Sequence, residues 1–148
     1  DWAAWRAMET LYESGQARML GVSNISLDQL ESLCADATVR PSFVQNRCYA
    51  ARRWDRAIRD FCHEQEILYQ GFSLLTANRQ ALSSPQLAQI AMKHGCTIAQ
   101  MIFCFALEMG MIPLTGTTNA EHMRGDLCVF DLQLTPEDIS FIENCGLS

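Results

Sequence analysis

The sequence has little of the clustered positive charge that marks proteins that bind nucleic acid. Its formal net charge is -6, and its lysines and arginines are scattered apart from four arginines that lie close together. Binding to nucleic acid depends on clustered Lys and Arg, so we expect no nucleic-acid partner. The four arginines, which we expect to line the solvated face of a helix, are Arg52, Arg53, Arg56 and Arg59.

The cysteines and histidines form neither a disulfide framework nor a metal-ligand motif. The seven cysteines are odd in number, there is no CxxC pair, and the three histidines lie far apart in the sequence. This spacing gives no support to a zinc site. Thiols embedded in apolar runs are typical of a reducing compartment. We therefore expect no metal, no disulfide and a cytoplasmic location.

Long apolar runs and linkers are missing as well. The longest nearly apolar run, residues 101–107, is far shorter than the roughly 20 residues that cross a bilayer, so we expect no membrane partner. With 148 residues, 49% of them hydrophobic, the chain is expected to form one domain over residues 1–148. It begins at Asp1, without an initiator methionine or a signal peptide, which is consistent with a processed, a truncated or a partly observed product.

Helices and short strands alternate along the sequence. Side chains that satisfy the free N–H groups of a first helical turn mark five helix starts. They are Ser26 and Thr97, each in a capping box, Ser84 and Thr135, each before a proline, and Asn119. Four runs rich in β-forming residues are predicted to be buried strands, at residues 19–22, 43–45, 67–72 and 111–114. This alternation predicts an α/β fold with a parallel sheet and right-handed crossovers.

Polar side chains follow all four predicted strands, where the ligands of parallel α/β folds bind. Carboxamides can pair with a ligand carboxamide, a ring can stack on a flat heterocycle, and a Gly-Thr turn that opens a helix can hold phosphate. The pattern indicates a dinucleotide site. Its members are Ser23, Asn24, Gln45, Asn46, Phe72, Ser73 and the run from Thr115 to Asn119.

Each of these residues also has a purely structural interpretation. Ser23 and Asn24 begin a loop before a helix, where such residues often cap. Gln45 could satisfy buried backbone groups, and Phe72 could pack in the core. The coincidence of such residues at four successive strand ends favours the ligand site.

Four segments resemble the last four strand ends of the aldo-keto reductases, in the same order. They read GVSN, FVQN, GFSLL and IPLTGT, at residues 21–24, 43–46, 71–75 and 112–117, and residues 129–139 also resemble the closing segment of the family. The resemblance covers nearly the whole chain. It implies a parallel (β/α)8 TIM barrel, of which this chain supplies about the C-terminal half as a single-domain fragment.

The resemblance implies that the chain binds NADP or NAD. Ser23, Asn24 and Gln45 would hold the nicotinamide carboxamide, and Phe72 would stack against the nicotinamide ring. The residues that would contact the rest of the cofactor are Ser73 and Leu75 at the pyrophosphate, and Thr115, Gly116, Thr117, Thr118 and the helix after Asn119 at the adenosine end.

The chain departs from the NADPH-preferring members of the family at three positions. Those members usually carry a Lys after the proline of the last strand, and an Arg four residues before an Asn in the next helix. This chain has Leu114, His122 and Asp126 there. Arg124 is a candidate substitute, so the choice between NADP and NAD stays open.

No catalytic residue can be assigned, because the Asp, Tyr, Lys and His of the family lie on earlier strands. The resemblance implies that the intact protein is an NAD(P)H-dependent oxidoreductase that reduces a small aldehyde or ketone to an alcohol. This chain would be its cofactor-binding half, inactive alone and prone to self-association.

Two other functions are open at this point. One is a non-catalytic nucleotide-binding regulatory subunit, because the family includes potassium-channel β subunits and a ligase regulatory subunit. The other is a half-barrel without a ligand, kept for assembly alone. Retention of Ser23, Asn24 and Gln45 favours the enzyme.

Overall fold

A computed structural model of the chain describes residues 2–147. The helices and strands, in chain order, are α1 (Trp2–Glu13), β1 (Gly21–Ser23), α2 (Leu27–Asp36), β2 (Phe43–Arg47), α3 (Arg56–Glu64), β3 (Leu68–Phe72), α4 (Arg79–Leu82), α5 (Pro85–Lys93), α6 (Ile98–Glu108), β4 (Ile112–Leu114), α7 (Ala120–Leu127) and α8 (Pro136–Asn144). Two short 3-10 helices, Ala50–Arg52 and Cys128–Asp131, complete the described elements.

The four strands form one sheet in the order β1-β2-β3-β4. β1 and β2 are parallel, with Gly21 opposite Phe43, Val22 opposite Val44 and Ser23 opposite Gln45. The spatial order follows the chain order because a helix connects each strand to the next. The predicted α/β fold with a parallel sheet is confirmed.

The predicted helix starts follow from local chemistry and are confirmed. Ser26, Thr97 and Thr135 each form a complete capping box. Asn119 caps α7 by accepting from the backbone N–H of Glu121 at 2.8 Å. Ser84 stands at the N-cap of α5, but its side chain makes no capping bond. The short α4 and the 3-10 helices were not predicted, because they are too brief to show a helical period.

The outer strands are more exposed than the buried strands that the sequence predicts. In β1 Gly21 and Ser23 are exposed, and in β4 Ile112 is exposed. The physical reason is position, since an edge strand has a neighbouring strand on one side only. β2 also runs two residues beyond its predicted end, so Asn46 lies inside the strand.

The prediction that four arginines share a solvated helix face is wrong. Arg52 ends a 3-10 helix, and Arg53 follows it with a φ of 51°. Only Arg56 and Arg59 lie on α3, and Arg59 is buried. Left-handed backbone at residues 53–55 interrupts the helical spacing on which the prediction depended.

The chain divides into two compact units, which are described separately below. The first comprises the described residues up to Asn46 together with Ala57–Gln70, and the second comprises Arg47–Arg56 and the described residues from Gly71 onward. β2 and β3 each contribute residues to both units. A single domain over residues 1–148 stays a prediction.

The first unit packs around Trp5, Leu20 and Leu33. The buried carboxylate of Glu9 fastens α1 to the segment after α2, where Oε1 accepts from the backbone N–H of Thr38 at 2.8 Å and of Val39 at 2.9 Å. The bond from Val39 is the largest cause that holds the pKa of Glu9 below its ordinary value.

The second unit packs around α6, in which six consecutive residues from Met101 to Ala106 are buried. Trp54 is fully buried beside it, with ring centroids 5.5 Å from Phe105. The indole Nε1 of Trp54 donates to the carbonyl of Ile142 at 2.9 Å. This residue therefore packs in the core instead of lining an open pocket.

The lengths of the helices and the state of the cysteines bear on the expectations of no membrane span and no disulfide. Within residues 2–147, no single helix is long and apolar enough to span a membrane; α5 and α6 reach the required length only together, and they bend by 82° at their break. All seven cysteines are free thiols. Burial raises the pKa of the Cys62 thiol to about 12, which makes it a poor nucleophile.

The open sheet edges predict that the chain self-associates when it is expressed alone. Unpaired backbone groups at β1 and β4 can pair with another chain, so we expect a dimer of half-barrels or an aggregating species without carbonyl reductase activity. Size-exclusion chromatography with light scattering measures the oligomeric state, and a reductase assay measures the carbonyl reductase activity. A monodisperse monomer that melts cooperatively would contradict the expectation.

Candidate functional site

The residues expected at the nicotinamide end lie in the first unit, where β1 ends beside β2. The Oγ of Ser23 donates to the carbonyl oxygen of Gln45 at 2.8 Å, and the backbone N–H of Asn24 donates to the same oxygen at 3.0 Å. The Nδ2 of Asn24 lies 3.3 Å from the Oγ of Ser23. The structure therefore brings Ser23, Asn24 and Gln45 into one hydrogen-bonded cluster.

A second carboxamide holds the side chain of Gln45. Its Nε2 donates to the Oε1 of Gln70, on the neighbouring strand, at 2.9 Å. Within residues 2–147 this is the one side-chain bond of Gln45, so its Oε1 and its second N–H are available to a ligand. An acceptor beside a donor is the arrangement that pairs with the carboxamide of a nicotinamide. The donor set therefore fits the cofactor that the sequence predicts.

Asn46 fixes the turn that carries Ser23 and Asn24. It is buried, its Oδ1 accepts from the backbone N–H of Ile25 at 3.0 Å, and its Nδ2 donates to the carbonyl of Ile25 at 2.9 Å. Asn24 adopts a φ of 53°, in the left-handed region that Asn tolerates better than most residues. The cap of α2 is Ser26, so neither Ser23 nor Asn24 serves as its N-cap.

Phe72 ends β3 and Ser73 follows it, both in the second unit. Phe72 is partly buried, its carbonyl accepts from the backbone N–H of Cys48 at 3.0 Å, and the Cζ of Arg47 lies 5.5 Å from its ring centroid. Its ring is therefore not enclosed in the core. Ser73 has a φ of 56°, which is costly for a residue other than glycine. Such strain is often found at functional sites.

Asn78 stabilises the turn that contains Leu75. It is buried, its Nδ2 donates to the carbonyls of Leu74 at 2.8 Å and Cys48 at 2.9 Å, and its Oδ1 accepts from the backbone N–H of Ala50 at 2.7 Å. Leu75 itself is partly buried. Sequence reasoning missed Asn78, although a polar residue just before a short helix is a signal for such a brace.

The residues expected at the adenosine end lie in the second unit, between β4 and the middle of α7. Thr115, Gly116 and Thr118 are exposed, Thr117 is partly buried, and its Oγ1 accepts from the backbone N–H of Asn119 at 3.1 Å. No residue of α7 is buried. The sites expected to face the 2′-phosphate are His122, which is exposed, and Asp126, which is partly buried one helical turn later.

Asp138, which lies outside these clusters, has a structural role at the start of α8. The carboxylate of Asp138 accepts from the Nζ of Lys93 at 2.9 Å and lies 2.8 Å from the Nε2 of His94. Burial opposes its ionisation, but the bonds from His94, Lys93 and Thr135 hold the pKa of Asp138 well below its ordinary value. In the described chain, no group of three or more His, Cys, Asp or Glu side chains is arranged to hold a metal ion.

Comparison with known proteins supports the resemblance that these strand ends carry. The aldo/keto reductase family model matches residues 2–146. The chain is 34% identical over 140 residues to the uncharacterized oxidoreductase YtbE of Bacillus subtilis (strain 168), covering 95% of this chain and 49% of that protein. It is 33% identical over 139 residues to the glyoxal reductase of the same organism, covering 94% and 50%.

The fold agrees with that of solved aldo-keto reductases. The structure of MGS-M4, an aldo-keto reductase enzyme from a Medee basin deep-sea metagenome library, matches with a TM-score of 0.87 at 28% identity, covering 97% of this chain and 53% of that one. The chain belongs to the aldo/keto reductase family, whose cofactor is NADP or NAD. It spans about half the length of the curated relatives it matches.

The turn held by Asn46 can be tested by removing its side chain. Asn46→Ala leaves the partly buried N–H and carbonyl of Ile25 without these two bonds, and the loss of such a partner typically costs about 1 to 3 kcal/mol. We expect a lower midpoint in urea denaturation and weaker nicotinamide nucleotide binding, because Ser23 and Asn24 lose their support. Asn144→Ala is the matched control, since that side chain bonds only within its own helix. Equal midpoints for the two variants would contradict the role of Asn46.

Proposed function

We propose that this chain is the C-terminal, cofactor-binding half of an NAD(P)H-dependent oxidoreductase that reduces aldehydes or ketones to alcohols. The observation that carries the proposal is the cluster of Ser23, Asn24 and Gln45, in which Gln45 keeps an amide donor and an acceptor available. Membership of the aldo/keto reductase family supports it. The activity is proposed for the whole protein, because the chain spans half the length of its relatives.

In this proposal the first unit holds the nicotinamide carboxamide. Gln45 donates one bond to the carboxamide oxygen and accepts another from its amide nitrogen, while Gln70 keeps the Gln45 side chain in place. Ser23 and Asn24 supply further polar groups at the same strand end. Two complementary amide bonds fix the rotation of the nicotinamide ring.

The second unit holds the remaining parts of the cofactor. Phe72 offers a ring face for stacking at the end of β3, and the strained turn at Ser73 and Leu75 offers backbone and side-chain donors for the pyrophosphate. The adenosine end binds at residues 115–118 and at the start of α7. The positive end of the helix dipole favours phosphate there.

The chain's residues bind and orient the cofactor, and the remaining half of the protein supplies the proton. When bound, the cofactor supplies a hydride to the carbonyl carbon. By family resemblance, a tyrosine on an earlier strand donates the proton to the carbonyl oxygen, and a lysine and an aspartate lower its pKa. None of these groups is assigned to residues 1–148.

A non-catalytic regulatory subunit of the same family is the second candidate. It would bind the same cofactor through the same residues, so the site in this chain does not separate the two. The coding sequence upstream of this chain separates them. The enzyme requires the catalytic tyrosine and lysine there, and their loss would favour the regulatory subunit.

Gln45→Ala in the full-length protein tests the proposed function directly. Loss of a paired donor and acceptor is expected to weaken NADPH or NADH binding by roughly 5- to 150-fold. This range corresponds to the about 1 to 3 kcal/mol that removal of a buried hydrogen-bond partner typically costs. Fluorescence titration measures the affinity, and steady-state kinetics measures turnover. Gln133→Ala, at an exposed glutamine, serves as the control. Unchanged affinity and turnover in Gln45→Ala would refute the assignment.

The coenzyme preference of the full-length protein follows from Leu114 and His122. Neither residue supplies the cationic fork that grips a 2′-phosphate, so we expect weaker discrimination against NADH than in relatives that carry Lys and Arg. The ratio of kcat/KM for NADPH and NADH measures it. A preference for NADPH above about a thousandfold, near 4 kcal/mol, would contradict the expectation, and Arg124→Gln would then show whether Arg124 supplies the clamp.

A further inference from the structure

The segment of α7 and the 3-10 helix that follows it carries large apolar side chains that are exposed. Met123 is 48% exposed, Leu127 70% and Phe130 72%. Met123 and Leu127 lie about one turn of α-helix apart, and Phe130 lies one turn of 3-10 helix beyond Leu127. The three side chains therefore share one side of the segment, and we call them the apolar stripe.

The apolar stripe is not the side by which α7 packs on α6. The Nε2 of Gln100, on α6, donates to the backbone carbonyl of Gly125 at 3.0 Å, and Val129 is buried. At 3.6 residues per turn, Met123 and Leu127 fall nearly opposite Gly125. A surface helix normally presents polar residues on the side away from its packing contact. α7 thus has a second side that is suited to packing.

The strand that leads into α7 lies at the edge of the sheet. β4 is the last strand in the sheet order, and its Ile112 is exposed. In a parallel α/β sheet each further strand brings a helix that packs beside the preceding helix. A strand added beside β4 would therefore bring a helix to the side of α7 that faces away from α6.

We propose that the apolar stripe is the surface on which a helix from the remaining half of the protein docks. The inference rests on the proposed function, in which this chain is one half of a barrel enzyme. It agrees with the length of the chain, which spans about half of the relatives it matches. The stripe holds no charge, so the docking helix presents apolar side chains to it.

The size of the apolar stripe favours a segment of the same protein over a second copy of this chain. Stable association of separate molecules typically buries roughly 800 Å² on each partner, contributed by about 20 to 30 residues. The three side chains of the stripe fall far short of such an interface. A segment joined through the same polypeptide has a high effective concentration, so a small contact is sufficient for it.

Photochemical cross-linking in the full-length protein tests which occupant covers the stripe. The variant Phe130→p-benzoylphenylalanine carries the cross-linker, and mass spectrometry identifies the peptide to which it becomes attached. We expect a peptide from the part of the protein that precedes residue 1, joined within the same molecule. Met92→p-benzoylphenylalanine is the matched control, because Met92 is 80% exposed on α5 and lies outside the stripe. It should give no such cross-link.

Leu127→Ala provides a second test through stability. If a docked helix buries Leu127, this substitution removes core packing and should raise the unfolding equilibrium constant of the full-length protein by roughly 30- to 5,000-fold. Urea denaturation measures the change. Met92→Ala, at an exposed position, should change the constant by roughly twofold or less.

Two results would overturn the inference. A cross-link from position 130 to a second molecule would make the stripe a self-association surface. A cross-link only to residues 1–148, or equal effects of Leu127→Ala and Met92→Ala, would show that no helix of the other half docks there. Titration with NADPH or NADH tests the proposed function separately. Nucleotide binding without the expected cross-link would refute the inference alone, and the cross-link without nucleotide binding would refute the cofactor assignment alone.

Discussion

The parallel register of β1 on β2 is the constraint on which the proposed nicotinamide end of the site depends. It places Ser23 opposite Gln45, so one carbonyl oxygen of β2 accepts both from Ser23 and from the backbone of Asn24. A slip of one residue would turn every side chain of the strand to the other face. The cluster therefore exists only in this register, and Asn46 holds the adjoining turn through Ile25.

The same sheet is consistent with the proposal that this chain is one half of a barrel enzyme. Its four strands leave β1 and β4 as edges, and an eight-stranded parallel barrel has none. The proposed cofactor-binding side chains lie at the strand ends of each unit, and no catalytic acid is assigned among them. Cofactor binding and catalysis are thus expected to come from different halves of one longer protein.

Hydrogen bonds between residues close in the sequence could be predicted from the sequence, and long-range contacts could not. The capping boxes at Ser26 and Thr97 were predicted because they involve residues three apart. The bond between Gln45 and Gln70 spans 25 residues, and nothing in the local sequence indicates it. The burial of Arg59 was not predicted for a related reason: burial depends on neighbouring residues that only the folded chain brings close. The exposure of β1 likewise reflects which strands stand at the edges.

The most direct test of the account is a crystal structure of the full-length protein with bound NADPH or NADH. The account predicts that the nicotinamide carboxamide lies within hydrogen-bond distance of the Gln45 side chain, with Ser23 and Asn24 beside it and Phe72 against the ring. A nucleotide bound elsewhere, or one whose carboxamide points away from Gln45, would contradict it.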